Sequence, residues 1–255
     1  MGKLKIILLA GFLISNIQTK AQIYNGHYIP FGLGYSFQTV KDQSLSPVSY
    51  SGNLGSLSSG YYYQNKNWLS LFDVSGFGAF LYPNVNRENN SNSAISISGR
   101  ATYSMSYKVY EKREWQFFAG LLSHNVWDYR DISSFSNNSF NFNGFISGGI
   151  NLVSQKNFKF WNQDFGFQYS LGIPFSTYAL RPGYIKPFIA DEIGSREFYF
   201  WGDYYAIDSK TELFWRMNPN NFIRLSYQWE FNELNALNKV QVASHFLTLS
   251  TIFGF

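Results

Sequence analysis

The chain has 255 residues, of which 20 are basic, 16 acidic and three histidine, with no cysteine; aromatics make up 20% and charged residues only 14%. The lack of cysteine excludes a disulfide framework and a thiolate metal site. A soluble sandwich can be rich in aromatics but buries its apolar face and leaves fewer large side chains for the surface. The first residues read as a secretory signal over residues 1–21: Lys3 and Lys5 give the positive start, Ile6 to Ile14 the apolar stretch, and Thr19-Lys20-Ala21 the small-residue site before Gln22. Removing Lys3, Lys5 and Lys20 leaves 17 basic against 16 acidic residues, so the basic balance belongs largely to the leader. No basic patch with interleaved aromatics remains to indicate nucleic acid.

Residues 22–255 carry ten segments that alternate at period two: 28–39, 54–63, 68–81, 93–108, 115–127, 141–153, 161–175, 198–217, 222–232 and 242–255. The fourth sets Ile95, Ile97, Ala101, Tyr103, Met105 and Tyr107 against Ser96, Ser98, Arg100, Thr102, Ser104, Ser106 and Lys108. On the seventh, Phe165, Phe167, Tyr169 and Leu171 oppose Asn162, Asp164, Gln168 and Ser170, and on the eighth Ile207, Leu213, Trp215 and Met217 oppose Asp208, Lys210, Glu212 and Arg216. The ninth is the clearest, with Ile223, Leu225, Tyr227, Trp229 and Phe231 on one face and Arg224, Ser226, Gln228, Glu230 and Asn232 on the other. The second, third and fifth carry apolar residues on both faces. An apolar face beside a polar or charged face predicts strands with lipid outside and water or a polar network inside.

Short polar links at 64–67, 109–114, 154–160 and 218–221 alternate with longer ones at 40–53, 82–92, 128–140, 176–197 and 233–241. That asymmetry is expected of short periplasmic turns and longer extracellular loops, and it sets both chain ends in the periplasm. Trp68, Trp115 and Trp161 follow short links and Trp215 precedes one, where amphipathic rings suit a membrane interface. The last segment puts Ala243, His245, Leu247, Leu249, Thr251, Phe253 and Phe255 on one face and ends Phe253-Gly254-Phe255.

With its signal peptide, alternating strands, unequal connectors and aromatic C-terminal strand, the chain resembles the small Gram-negative outer-membrane β-barrel proteins. The resemblance implies an all-β, single closed antiparallel transmembrane barrel in the cell outer membrane. It also implies that Phe255, and with it Phe253, signals to the barrel assembly machinery during insertion. Ten strands are expected, or twelve if 176–197 hides a hairpin.

If Phe255 faces lipid, parity gathers Arg100, Asp164, Asp208, Lys210, Glu212, Arg216, Arg224 and Glu230 on the inner face. Charges at that depth must be paired or wet. They form either a selectivity lining for small polar solutes or the polar filling of a barrel barely wider than the roughly eight-strand size that side chains can fill. Arg216 and Arg224 flank the 218–221 turn, with Asp164 on the preceding strand as the expected partner.

Among the histidines, His27 precedes the first strand and His245 faces lipid. His124, inward by parity and expected near the outer end of its strand, is followed by Asp128 and Asp131. A histidine with a carboxylate can activate water or a serine, but Ser123 has the opposite parity, and no His-x-Ser spacing occurs there. No histidine pair has zinc spacing and no glycine-rich segment opens a helix, so neither metal nor cofactor is expected. The leading reading is a non-enzymatic barrel, either a structural or accessory subunit of an envelope assembly or a narrow channel. Its partners would be outer-membrane lipid and an envelope protein met through the extracellular loops, the longest of which carries Arg181-Pro182-Gly183-Tyr184 and Lys186-Pro187-Phe188. The alternative is a lipid-modifying or proteolytic barrel enzyme using His124.

Overall fold

The computed structural model describes residues 25–43, 46, 48–84, 93–131, 140–181, 196–235 and 239–255. The expected signal peptide, residues 1–21, lies outside the described residues, as does 182–195 of the longest connector. The strands are β1 (Gly26–Asp42), β2 (Tyr50–Gln64), β3 (Trp68–Pro83), β4 (Ala94–Lys112), β5 (Trp115–Asp131), β6 (Phe140–Phe160), β7 (Gln163–Leu180), β8 (Arg196–Phe200), β9 (Tyr204–Arg216), β10 (Asn221–Leu234) and β11 (Val240–Gly254). Each long strand pairs antiparallel with its neighbours. β1 closes on β11 from Tyr28↔Gly254 to Asp42↔Val240, and β7 joins β9 from Phe165↔Trp215 to Gly172↔Asp208. Ten strands thus form a closed barrel, which leaves no free edge for lipid to meet.

β8 is an addition to that ring. It pairs with the outer part of β7, from Ser176↔Phe200 to Leu180↔Arg196, so the expected single strand over 198–217 is divided at Trp201-Gly202-Asp203. Several strands run on into the expected links, β1 to Asp42, β5 to Asp131 and β7 to Leu180 among them. Residues 109–112 and 154–160, read as links from their polar composition, are strand, and the β6–β7 turn contains only Trp161 and Asn162. Both turn residues have positive φ, 47° and 59°, the geometry of a two-residue hairpin. Trp161 therefore sits at the turn tip, stacked on Phe160 at 4.7 Å, and does not start β7.

Large apolar side chains cover the outside. Leu33, Leu121 and Leu249 are 68%, 72% and 60% exposed in mid-strand, each beside a buried residue of the same strand. Such a surface has no place in water and matches the apolar band of a membrane barrel. The period-two alternation breaks near the end of β4, between Lys108 and Tyr110, and again on β7. A bulge opposite Gly148/Gly149 shifts β7 between Pro174 and Ser176. Gln168 and Gly172 point inward before it, Thr177, Ala179 and Arg181 after it, so parity carried along the strand fails at that point.

The interior is packed in layers. Near the tight turns, Tyr28, Tyr62, Leu69, Leu71, Phe118, Val153, Phe214, Phe222 and Ile252 form one apolar cluster. Leu54, Phe77 and Phe246 form a second at mid-height. At the far end, Val40, Tyr50, Leu81, Ala94, Val240 and Val242 make a third, beside a fourth of Phe145, Ala179, Tyr204, Ala206 and Leu234. Ion networks occupy the space between these layers.

Candidate functional site in the barrel interior

The network above the first apolar layer is built on β9 and β10, where charged residues alternate with lipid-facing ones. Arg224 Nη1 lies 3.0 Å from Glu212 Oε1, and its Nη2 donates to Ser250 Oγ at 3.0 Å. Arg224 also donates to the Tyr62 hydroxyl, which donates to Asp73 Oδ1 at 2.6 Å. Lys210 bridges Asp73 and Glu212 at 3.2 and 3.1 Å. A relay of amides extends this network around the wall: Gln64 Nε2 donates to Gln155 at 3.0 Å, Gln155 to Gln168 at 2.8 Å, and Gln168 to Glu212 Oε2 at 2.7 Å. Two cations face two carboxylates, and the spare lone pairs are used, the condition under which buried charge is tolerated.

A cavity of about 70 Å³ lies between this network and the next, bordered by Asp73, Lys210, Glu212, Arg100, Asp208 and Gln228. Its space comes from small residues on the facing wall, including Ser56, Ser58 and Thr248. At Gly32, β1 passes so close to that wall that a Cβ would stand 2.4 Å from Ser250 Oγ and 2.6 Å from Ser58 Oγ. The volume holds roughly five waters at ~10–15 Å³ each, and its walls are polar enough to bind them.

At mid-height, Arg100 pairs with Glu230 and packs 4.2 Å over the Phe246 ring. Gln228 Nε2 donates to Asp208 Oδ1 at 2.8 Å and to Glu230 Oε1 at 3.2 Å. His124, 3% exposed, lies 3.1 Å from Thr102 Oγ1 through Nδ1 and 3.6 Å from Glu230 Oε1 through Nε2. Farther out, Asp42 meets Arg181 at 3.0 Å and Arg130 at 3.8 Å, Arg130 meets Asp128 at 2.8 Å, and Asp128 accepts from Ser98 at 2.5 Å.

Of the eight inward charges read from sequence, Arg100, Glu212, Arg224 and Glu230 are fully buried, and Asp208 and Lys210 line the cavity. Asp164 and Arg216 stand at the rim, 38% and 29% exposed and 3.8 Å apart. Asp164 meets Arg216 and Lys159 at the rim and not Arg224, which is taken by Glu212 deeper inside. The proposed His124 constellation does not assemble. His124 lies mid-strand opposite Thr102 and not near the outer end, Asp128 is engaged by Arg130 and Ser98, and Asp131 has the opposite parity on β5. His245 is on the outer face, 2.8 Å from the Tyr227 hydroxyl, and Phe253 near the end of β11 and Phe255 just beyond it are also exposed.

Sequence reading missed Asp73, Asp42, Arg130 and Arg181. Asp73 hides on a strand with apolar residues on both faces, Asp42 and Arg130 lie in stretches assigned to loops, and Arg181 turns inward only because of the β7 bulge.

No protein-family model and no curated protein sequence matches the chain. Solved structures do. The outer membrane protease OmpT from Escherichia coli aligns at 10% identity over 93% of this chain and 99% of its own, with a TM-score of 0.51. The translocator domain of the autotransporter NalP from Neisseria meningitidis gives 9% identity over 99% and 94%, TM-score 0.42. Ail, the attachment invasion locus protein of Yersinia pestis, gives 11% over 90% and 100%, TM-score 0.35. At such identities the likeness concerns the fold alone: the chain has the architecture of the outer-membrane β-barrels of Gram-negative bacteria.

Proposed function

We propose that the protein is a closed, non-enzymatic outer-membrane barrel that serves as a structural or accessory subunit of an envelope assembly. Both termini would lie in the periplasm, with the longer connectors outside. The observation that carries this reading is the filled interior. The nine-residue apolar layer spanning Tyr28 to Ile252 crosses the barrel at the tight-turn end, and ion networks fill the space above it. A water-filled pathway needs a continuous polar lining, and an apolar layer opposes it. Phe253 and Phe255 would address the assembly machinery, and the extracellular loops would meet the partner protein. The dispersal of His124, Asp128 and Asp131 removes support from the enzyme reading.

Two measurements test the proposal. Purified protein reconstituted in planar bilayers is expected to give no discrete conductance steps, and reproducible steps would overturn the closed-barrel reading in favour of a channel. Gentle detergent extraction from the native membrane is expected to retain a stoichiometric envelope partner through crosslinking and size exclusion. A lone monomer under those conditions would overturn the accessory role.

A further inference from the structure

His124 on β5, Asp208 on β9 and Glu230 on β10 send one ligand-type atom each into a common space, all within 4.8 Å of one another. Asp208 and Glu230 are directly opposed in the β9–β10 ladder. Like charges in that position repel, and burial of Glu230 at 4% exposure removes the water that would screen them. Among the described residues the arginine or lysine that pairs with either is Arg100, and it uses Oε2 of Glu230, leaving Oε1 turned towards His124. Lys210, the neighbouring cation on β9, is held by Asp73 and Glu212.

His124 sharpens the imbalance. Its Nε2 looks towards the carboxylates, yet Glu230 Oε1, at 3.6 Å, is beyond hydrogen-bond reach. When Nδ1–H donates to Thr102 Oγ1, the Nε2 lone pair faces the two carboxylates, so three acceptors converge, and the Gln228 amide is the one donor that the two carboxylates share among the described residues near His124. That is the arrangement a metal needs, with the second ring nitrogen fixing the tautomer from behind. Gln228 holds Asp208 Oδ1 and Glu230 Oε1 through one lone pair of each oxygen, and the second lone pair stays open to a metal.

We propose that His124 Nε2, a carboxylate oxygen of Asp208 and Glu230 Oε1 form a binding site for a borderline divalent cation such as Zn²⁺. One nitrogen and two oxygens suit such metals, which bind ligands at ~2.0–2.2 Å with ligand atoms roughly 3.3 Å apart in a tetrahedron. Small side-chain shifts close the observed spacing to that value. The adjoining cavity supplies water for the remaining position, since Asp208, Gln228, Thr102 and Arg100 all border it. The site would clasp β5 to β9 and β10 across the interior, whether or not the barrel serves an envelope assembly.

The test uses the whole mature barrel with His27 and His245 replaced by Ala, which removes the two other histidines as incidental ligands. The protein is refolded in detergent with Zn²⁺ and desalted, the retained zinc is measured by elemental analysis, and folding is monitored by the mobility of unheated samples on electrophoresis. About one zinc per barrel is expected, with affinity at least ~10-fold weaker in His124→Gln and Asp208→Asn, and about tenfold weaker in Thr102→Ala through loss of the tautomer lock. Where His124→Gln fails to fold, Asp208→Asn and Thr102→Ala decide. No retained zinc in the parent would overturn the site. So would retention that is unchanged in the folded variants, because the ion would then be adventitious and the carboxylates would share a proton instead.

Discussion

The two ion networks on either side of the central cavity both draw on β9 and β10, yet they solve burial differently. The lower one matches Arg224 and Lys210 with Asp73 and Glu212, and each charge touches a partner of opposite sign. The middle one sets a single cation, Arg100, against Asp208 and Glu230 with His124 alongside. The outermost network, Arg130 and Arg181 with Asp128 and Asp42, is matched again. Balanced networks act as filling, because they neutralise themselves. An unbalanced one, retained at mid-barrel, has to be completed by a proton or a cation.

The largest effect should come from breaking the balanced network. Arg224→Leu leaves Glu212 in a buried site without its guanidinium and takes a donor from Tyr62 and Ser250. We expect a loss of about 3–5 kcal/mol of unfolding free energy, read by urea titration in lipid vesicles. Pairing it with Glu212→Gln should recover part of the loss, because Lys210 is then matched by Asp73 and no carboxylate is in excess. An additive double variant would mean that the two residues do not form one network.

Next in size is the apolar layer below it. Phe214 and Phe222, 0% and 2% exposed, pack side by side in that layer, and truncation of either to Ala should cost about 3–5 kcal/mol on the same titration. Phe222→Ala also removes the ring under the Arg216 guanidinium, 5.2 Å from its centroid. If the layer closes the interior, the double truncation should raise ion leakage in planar bilayers where the parent is silent. A leak-free double variant would mean that the ion networks alone seal the barrel.

The middle network should answer with the opposite sign. Asp208→Asn removes a like charge opposing Glu230 and keeps an acceptor for Gln228, so without metal its cost is expected to stay under about 1 kcal/mol, or to reverse. With Zn²⁺ at a hundred times the dissociation constant, the parent alone should gain about 2.7 kcal/mol. A cost equal to that of Arg224→Leu in metal-free buffer would erase the distinction between the two networks.

The sequence made β10 and β11 legible because each keeps one parity from end to end, so Arg224, Glu230 and His245 could be assigned a face from their neighbours alone. Parity is local information, however. It could not survive the Pro174–Ser176 bulge, which turns Arg181 inward, and it could not expose Asp73 on a strand with apolar residues on both faces. Residues 154–160 read as a link because Ser154, Gln155, Lys156 and Asn157 are polar, yet Gln155 is an inward strand residue with 1% exposure, bonded to Gln64 and Gln168. The convergence of His124, Asp208 and Glu230 escaped for another reason. It joins three strands across the barrel, and the metal spacings visible in a sequence lie within one segment.

The smallest effect belongs to the rim. Asp164 and Arg216 form the same kind of ion pair as Glu212 and Arg224, but they are 3.8 Å apart and each about a third exposed, against 3.0 Å and near-complete burial. Water screens the rim pair and would solvate either partner left alone, so Asp164→Asn should cost less than about 1 kcal/mol, and less still in high salt. Arg224→Leu should keep most of its cost in the same salt series, because ions do not reach a charge sealed between apolar layers. Equal salt sensitivity of the two variants would mean that bulk electrolyte enters the interior as far as Glu212, and the apolar layer would then have to be breached in solution.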